Sequence, residues 1–131
     1  MSNKVALLDA NVLIALADAN HVGHRRARDW FRAELPYATC PITQGVFLRF
    51  YLRQVDGASV ASGKAMLARI EALPHHNFWP DDVDYADLPE KGVVGYRQVT
   101  DAYLVALARR HQGVLVTMDE ALHAVHAVQL I

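Results

Sequence analysis

Three aspartates stand at places where chemistry could be done. Asp9 follows the apolar run Ala6, Leu7, Leu8; Asp119 closes "VLVTMD"; Asp101 opens "VTDAYLVALARRHQG". Carboxylates gathered in one place repel one another, and a hard divalent cation such as Mg²⁺ or Mn²⁺ is the usual neutraliser. A cation so held acidifies a bound water and stabilises charge on a phosphate, which is metal-assisted hydrolysis. Each acid also has a plainer reading. Asp9 and Asp119 precede helical patterns and can cap them, and the first turn of a helix favours the charge of Asp101 in any case. Shared position raises them above that reading: all three fall at element boundaries on what becomes one edge of a sheet.

The histidines offer a competing chemistry, because paired imidazoles cleave RNA by acid–base catalysis without metal. His21 and His24, like His123 and His126, are spaced i, i+3. No carboxylate sits at matching spacing to complete a metal motif, so these histidines, with His75, His76 and His111, are expected on the surface or at caps.

The elements that must position the acids are legible in the hydrophobic pattern. Residues 4–8 form a nearly all-apolar run, as in a strand covered on both faces of a parallel sheet. A short helix is expected over 11–17, and a second over 21–35, where Val22, Ala27, Trp30, Phe31 and Leu35 recur at helical spacing and Pro36 ends the run. "YATCPIT" reads as a strand cut short by Pro41, with Thr43 as N-cap of the helix "QGVFLRFYLRQV". An amphipathic helix is expected over 59–73. Residues 74–95, with three prolines and two glycines, read as a loop holding an edge strand at most. The helix containing Asp101 ends with Arg109, Arg110, His111 and Gly113 at C′. The strand "VLVT", a short helix over 121–127 and "VQLI" complete the chain. This alternation predicts an α/β sandwich around a mainly parallel sheet, where ligands collect at the carboxyl ends of strands near the reversal of strand order.

A length of 131 residues fits a single domain spanning 1–131. The single cysteine, Cys40, excludes an internal disulfide framework and is expected as a buried thiol. Asn3 and Lys4 lead into an apolar run that Asp9 ends at once, so neither a secretory leader nor a spanning helix is expected, and the expected location is cytoplasmic. Net charge is −1, which advertises no global affinity for nucleic acid. Arg25, Arg26, Arg28 and Arg32 crowd one segment and Asp81, Asp82, Asp84 and Asp87 another, both read as solvated faces.

Three stretches together resemble one family. "LLDANVLIAL", "TCPITQGVFLRF" and "RQVTDAYLVALARRHQGVLVTMD" are similar, in order and spacing, to the acidic segments of PIN domains, and "FWPDD" is similar to a subgroup of the VapC toxins of bacterial toxin–antitoxin pairs. The resemblance covers essentially the whole chain. It implies a three-layer α/β/α sandwich whose acidic cluster binds Mg²⁺ or Mn²⁺ and hydrolyses RNA, leaving a 5′-phosphate and a 3′-hydroxyl. By position, Asp9, Asp101 and Asp119 match the metal-binding and catalytic acids. Asn11 matches the polar residue after the first acid, Thr117 the hydroxyl before the last, and Thr100 lies beside Asp101 as support. One departure stands out: Gln44 occupies the catalytic segment where the family usually carries glutamate. Glutamine keeps the length and one acceptor but loses the charge, so the alternative reading is a weakened or silenced PIN domain that acts by binding RNA or its antitoxin.

The resemblance further implies a homodimer, a VapB-type antitoxin as partner, and RNA as substrate, with Arg49, Arg53 and Arg97 as candidate phosphate contacts. The apolar helix faces carrying Trp30, Phe31, Phe47, Phe50 and Tyr51 are either core or contacts for those partners. Single-stranded or loop RNA suits such a site, because its phosphates and bases are accessible. A receiver-type phosphoacceptor domain also places an acid at a strand end. It would need paired acids near the start and a lysine after a late strand; here the last lysine is Lys91, in the irregular loop.

Overall fold

Alternation of apolar residues along short strands sets the architecture. In the computed structural model, which describes residues 4–131, strand β1 (Ala6–Leu8) is buried on both faces. Asn3, part of the lead into that strand, lies outside the described residues. The remaining strands are β2 (Tyr37–Thr39), β3 (His76–Phe78), β4 (Val114–Thr117) and β5 (Gln129–Leu130). They pair in the order β3-β2-β1-β4-β5, every pair parallel. The chain therefore runs outward from β1 in one direction and returns on its other side at β4, which makes the β1/β4 boundary the topological switch point.

Helices cover both faces. Ala6, Leu8, Tyr37 and Val116 point into a core closed by α1 (Ala10–Ala17), α2 (His24–Phe31), α3 (Pro41–Gln54) and α4 (Val60–Glu71). Leu7, Ala38 and Leu115 point the other way, into a core closed by α5 (Val99–Arg110) and α6 (Glu120–Val125). This is the expected three-layer sandwich. Phe47 is fully buried in the first core, and Trp30, Phe31, Phe50 and Tyr51 pack against it, so these aromatics serve the interior. Cys40 is a buried free thiol, as expected.

Several boundaries differ from the sequence reading for identifiable reasons. The helix expected over 21–35 is only His24–Phe31. Before it, His21 Nδ1 accepts the Gly23 N–H at 2.9 Å and forms a turn instead; after it, Glu34 sits in the left-handed region at φ 54°. Thr43 is not the N-cap of α3. Cys40 is, with Pro41 at the first helical position, and the Thr43 hydroxyl accepts the Cys40 N–H from inside the first turn at 3.3 Å. Nor is Gly113 the C′ residue of α5. Gln112 takes the left-handed conformation there, at φ 54°. The Gly113 N–H then reaches Ala108 O at 2.7 Å and the Gln112 N–H reaches Arg109 O at 3.1 Å, a Schellman closure. Gly113 is required for a different reason: a Cβ there would stand 2.5 Å from the Val5 carbonyl oxygen and 2.6 Å from the Trp79 ring.

The irregular stretch holds β3 as an edge strand and is pinned to α5. Trp79 stacks on His111 with ring centroids 4.5 Å apart, and Asp82 pairs with Arg110 at 3.3 Å and His111 at 2.9 Å. Asp81 also departs from a solvated face: it is half-buried beside Cys40 and the amino end of α3, and burial pushes its carboxyl up from the usual range.

Candidate active site

The three aspartates do converge, and each does so from a helix amino end. Asp9 caps α1, Asp119 caps α6, and Asp101 lies in the first turn of α5. Capping and site-building are thus the same event here. Three helix termini point their positive ends at one region, where the carboxyl ends of β1 and β4 meet.

Asp9 is the most enclosed, at 9% exposure. Its Oδ1 accepts the Ala10 N–H at 2.8 Å and its Oδ2 accepts the Thr117 hydroxyl at 2.7 Å. Burial pushes its carboxyl above the usual range, against the opposing pull of those two hydrogen bonds. Asp119 uses one oxygen, Oδ1, to accept from Ala121 N at 2.9 Å and Leu122 N at 3.3 Å. Asp101 is different again. Its carboxyl is raised to about 6, first by burial and then by the charges of Asp9 and Asp119, and neither a hydrogen bond nor a neighbouring cation offsets that rise.

Thr117 is the hub that holds the cluster. Its hydroxyl donates to Asp9, accepts from Asn11 Nδ2 at 3.2 Å and accepts the Asp119 N–H at 3.0 Å. Asn11 Oδ1 in turn accepts the Met118 N–H at 3.3 Å. Asn11 and Thr117 therefore stand where the sequence placed them, bracing Asp9 to the Asp119 loop. Thr100 does not join this network; it is exposed beside Asp101.

Gln44 makes its hydrogen bond away from the acids. Its Nε2 donates to Thr39 Oγ1 at 3.0 Å, and that hydroxyl also pairs with His76 Nε2 at 2.8 Å. Thr39 lies two residues beyond Tyr37 on β2 and so faces the same α1–α4 layer, whereas Asp9 and Thr117 follow Leu8 and Val116 and face α5. The amide is tied to the opposite face of the sheet.

Asp101 and Asp119 open onto a cleft of about 410 Å³ walled by Val94, Arg97, Gln98, Leu122, Val125 and His126, among others. Of the candidate arginines, Arg97 lines this cleft; Arg49 and Arg53 are exposed on α3, Arg53 lying over the Phe50 ring, and do not line it. His126, half-buried, has its basicity lowered by burial and then by Arg109 and Lys91. Apart from Arg97, the cleft wall was not legible in the sequence, because residues 92–98 carry no periodic signal.

Among the described residues, no three His, Cys, Asp or Glu side chains form a ready-made coordination cage. The donor chemistry nonetheless fits a hard divalent cation. It comprises three carboxylates, of which Asp9 and Asp101 have their proton affinity raised by burial and, less, by neighbouring acids.

The PIN domain family profile matches residues 6–128. The chain is 49% identical over 121 residues to ribonuclease VapC29 of Mycobacterium tuberculosis, covering 92% of this chain and 90% of that one. The crystal structure of VapC20 from the same species, a sarcin–ricin loop cleaving toxin, matches with a TM-score of 0.70 at 16% identity, over 91% of this chain and 93% of that one. VapBC2 from Rickettsia felis, solved bound to a fragment of promoter DNA, matches with a TM-score of 0.65 at 12% identity over 97% of both chains. The two structural likenesses speak to the fold.

Proposed function

We propose, because this chain belongs to the PIN-domain family, that it is the toxin of a toxin–antitoxin pair and an endoribonuclease that hydrolyses RNA at the Asp9–Asp101–Asp119 cluster. The observation that carries the reading is the convergence of Asp9, Asp119 and Asp101 from three helix amino ends at the carboxyl ends of β1 and β4, where burial and the charges of Asp9 and Asp119 raise the Asp101 carboxyl to about 6. Such a concentration of like charge is costly unless it has a use.

Asp9, Asp101 and Asp119 would hold Mg²⁺ or Mn²⁺. A divalent cation bound there supplies a water acidified for attack and stabilises the charge building on the phosphate. The chain does the rest. Thr117 fixes the Asp9 carboxylate by its 2.7 Å hydrogen bond, and Asn11 fixes Thr117. The Asp101 carboxyl makes no hydrogen bond among the described residues. Arg97 contacts a phosphate on the cleft wall.

The alternative, a silenced domain, rests on Gln44 standing where the family carries glutamate; its amide donates to Thr39, and the three aspartates remain to hold a metal. The partner is an antitoxin, of the VapB type; homodimerisation and a single domain across the chain belong to the same proposal.

The test is cleavage of RNA by the purified protein in Mg²⁺, Mn²⁺ and EDTA, alongside Asp9→Asn. Cleavage with either metal, none in EDTA and a loss of about a hundredfold or more in Asp9→Asn are expected. Cleavage that survives EDTA overturns the metal mechanism and returns the question to the histidines.

A further inference from the structure

The acids account for one side of the cleft only. Val94 and Arg97 line it as well; Val94 is 92% exposed, and Tyr96, next to Arg97, is 83% exposed. The Arg97 guanidinium lies over the Tyr96 ring, 5.8 Å from its centroid. Large apolar groups left this open on a small protein ordinarily meet something.

The segment is also rigidly set. Gly92 has φ +79°, and a Cβ there would stand 2.5 Å from Val125 and 3.1 Å from the His126 ring, so the loop is pressed onto the end of α6. Further on, the Gln98 side chain accepts the Gly95 N–H at 2.9 Å and fixes the turn Tyr96–Gln98 that leads into α5. An aromatic ring with a cation above it, held at the mouth of a charged cleft, is the arrangement that binds unpaired nucleotides. The ring stacks on a base face and the guanidinium meets a phosphate.

We infer that Tyr96 and Arg97 form a docking platform for one unpaired nucleotide of the substrate RNA, beside the phosphate that the acids address. The inference rests on the ribonuclease reading for its substrate and for Arg97, and adds Tyr96, which that reading does not use. Base-paired RNA keeps its bases stacked and cannot present one to Tyr96. The platform therefore selects an unpaired base, with no hydrogen-bonding code to prefer one base over another.

The probe is a short single-stranded oligoribonucleotide carrying 2-aminopurine, whose fluorescence falls when it stacks. It is titrated in EDTA, where no cleavage is expected, into the unsubstituted protein, Tyr96→Ala, Tyr96→Phe and Arg97→Ala. Quenching by the unsubstituted protein and by Tyr96→Phe is expected. Tyr96→Ala should lose the quenching and about tenfold in affinity, as removal of one base–aromatic stack implies. Arg97→Ala should weaken binding and reduce the salt slope by about one. No quenching by the unsubstituted protein, or equal affinity in Tyr96→Ala, overturns the inference. Cleavage is followed in parallel in Mg²⁺, to separate the two readings. Stacking lost in Tyr96→Ala, with no cleavage by any variant, supports the platform while the ribonuclease reading falls. Cleavage of equal efficiency with and without the ring overturns the platform and leaves the ribonuclease reading standing.

Discussion

The ends of β1 and β2 lie side by side in the sheet, yet they are built on opposite principles. At the end of β1, Asp9 is buried with Asp119 and Asp101 nearby, and burial first, then the neighbouring charges, push the proton affinity of Asp9 and Asp101 up. At the end of β2, Thr39, Gln44 and His76 form a neutral chain in which each polar group has a partner. His76 belongs to that neutrality, because burial lowers its basicity and Glu71 only partly restores it. Polar groups that satisfy one another hold a fold together, whereas acids left in mutual repulsion need an outside partner. The difference separates structure from function in neighbouring strands.

The two hydroxyl hubs allow the comparison to be broken directly. Thr117 and Thr39 are both fully buried. Thr117→Val strips Asp9 of its donor and leaves Asn11 Nδ2 and the Asp119 N–H without their acceptor. It should cost about 2 kcal/mol in urea unfolding, since a buried group left short loses its full desolvation cost. Thr39→Val should cost about 1 kcal/mol, because the side chains of Gln44 and His76 are only half-buried and can turn to water. Equal costs at the two sites would remove the distinction.

A smaller effect separates the regions by pH. The Asp101 carboxyl is raised in the folded protein to about 6 from 3.8. The folded state therefore binds its proton more tightly than the unfolded chain does, and metal-free stability falls as pH rises from about 4 through about 6. Asp101→Asn removes that fall. Above pH 7 and without metal the variant should be more stable by about 1 kcal/mol, well under what two pKa units represent, because the side chain is partly exposed and screened. Near pH 3 the gain should vanish. Thermal unfolding in EDTA across that range measures it, and a gain that persists at pH 3 would show that packing, not charge, is responsible.

Much of the acidic end was legible from sequence because its residues sit at breaks in periodicity. Asp9 after Leu8, Asp119 after the "VLVT" run and Asp101 at a helix start are visible without coordinates, and Thr117 and Asn11 follow from the family resemblance. What could not be read was direction. Gln44 lies in the right segment, but which face of the sheet its amide meets depends on how α3 packs across β2, and nothing in one sequence fixes that. Asp81 looked like its three acidic neighbours until the fold buried it against Cys40. The cleft wall escaped for a related reason: Val94 and Tyr96 lie in a stretch shaped by a left-handed glycine and a single turn, where apolar spacing carries no information.

Gln44→Glu gives the finest test of the comparison, because it adds a carboxylate to the neutral end. The glutamate can no longer donate to Thr39, although it can accept that hydroxyl's proton, so the link between α3 and β2 survives in altered form. Its charge would lie next to His76, the group whose basicity burial now lowers. The His76 titration should therefore move up in the variant, readable by NMR of the imidazole. Cleavage should stay within about twofold of the unsubstituted chain, since the new charge points to the α1–α4 face and the acids face α5. A tenfold gain in cleavage with no movement of His76 would mean that position 44 turns to the acids after all. The two strand ends would then be one site.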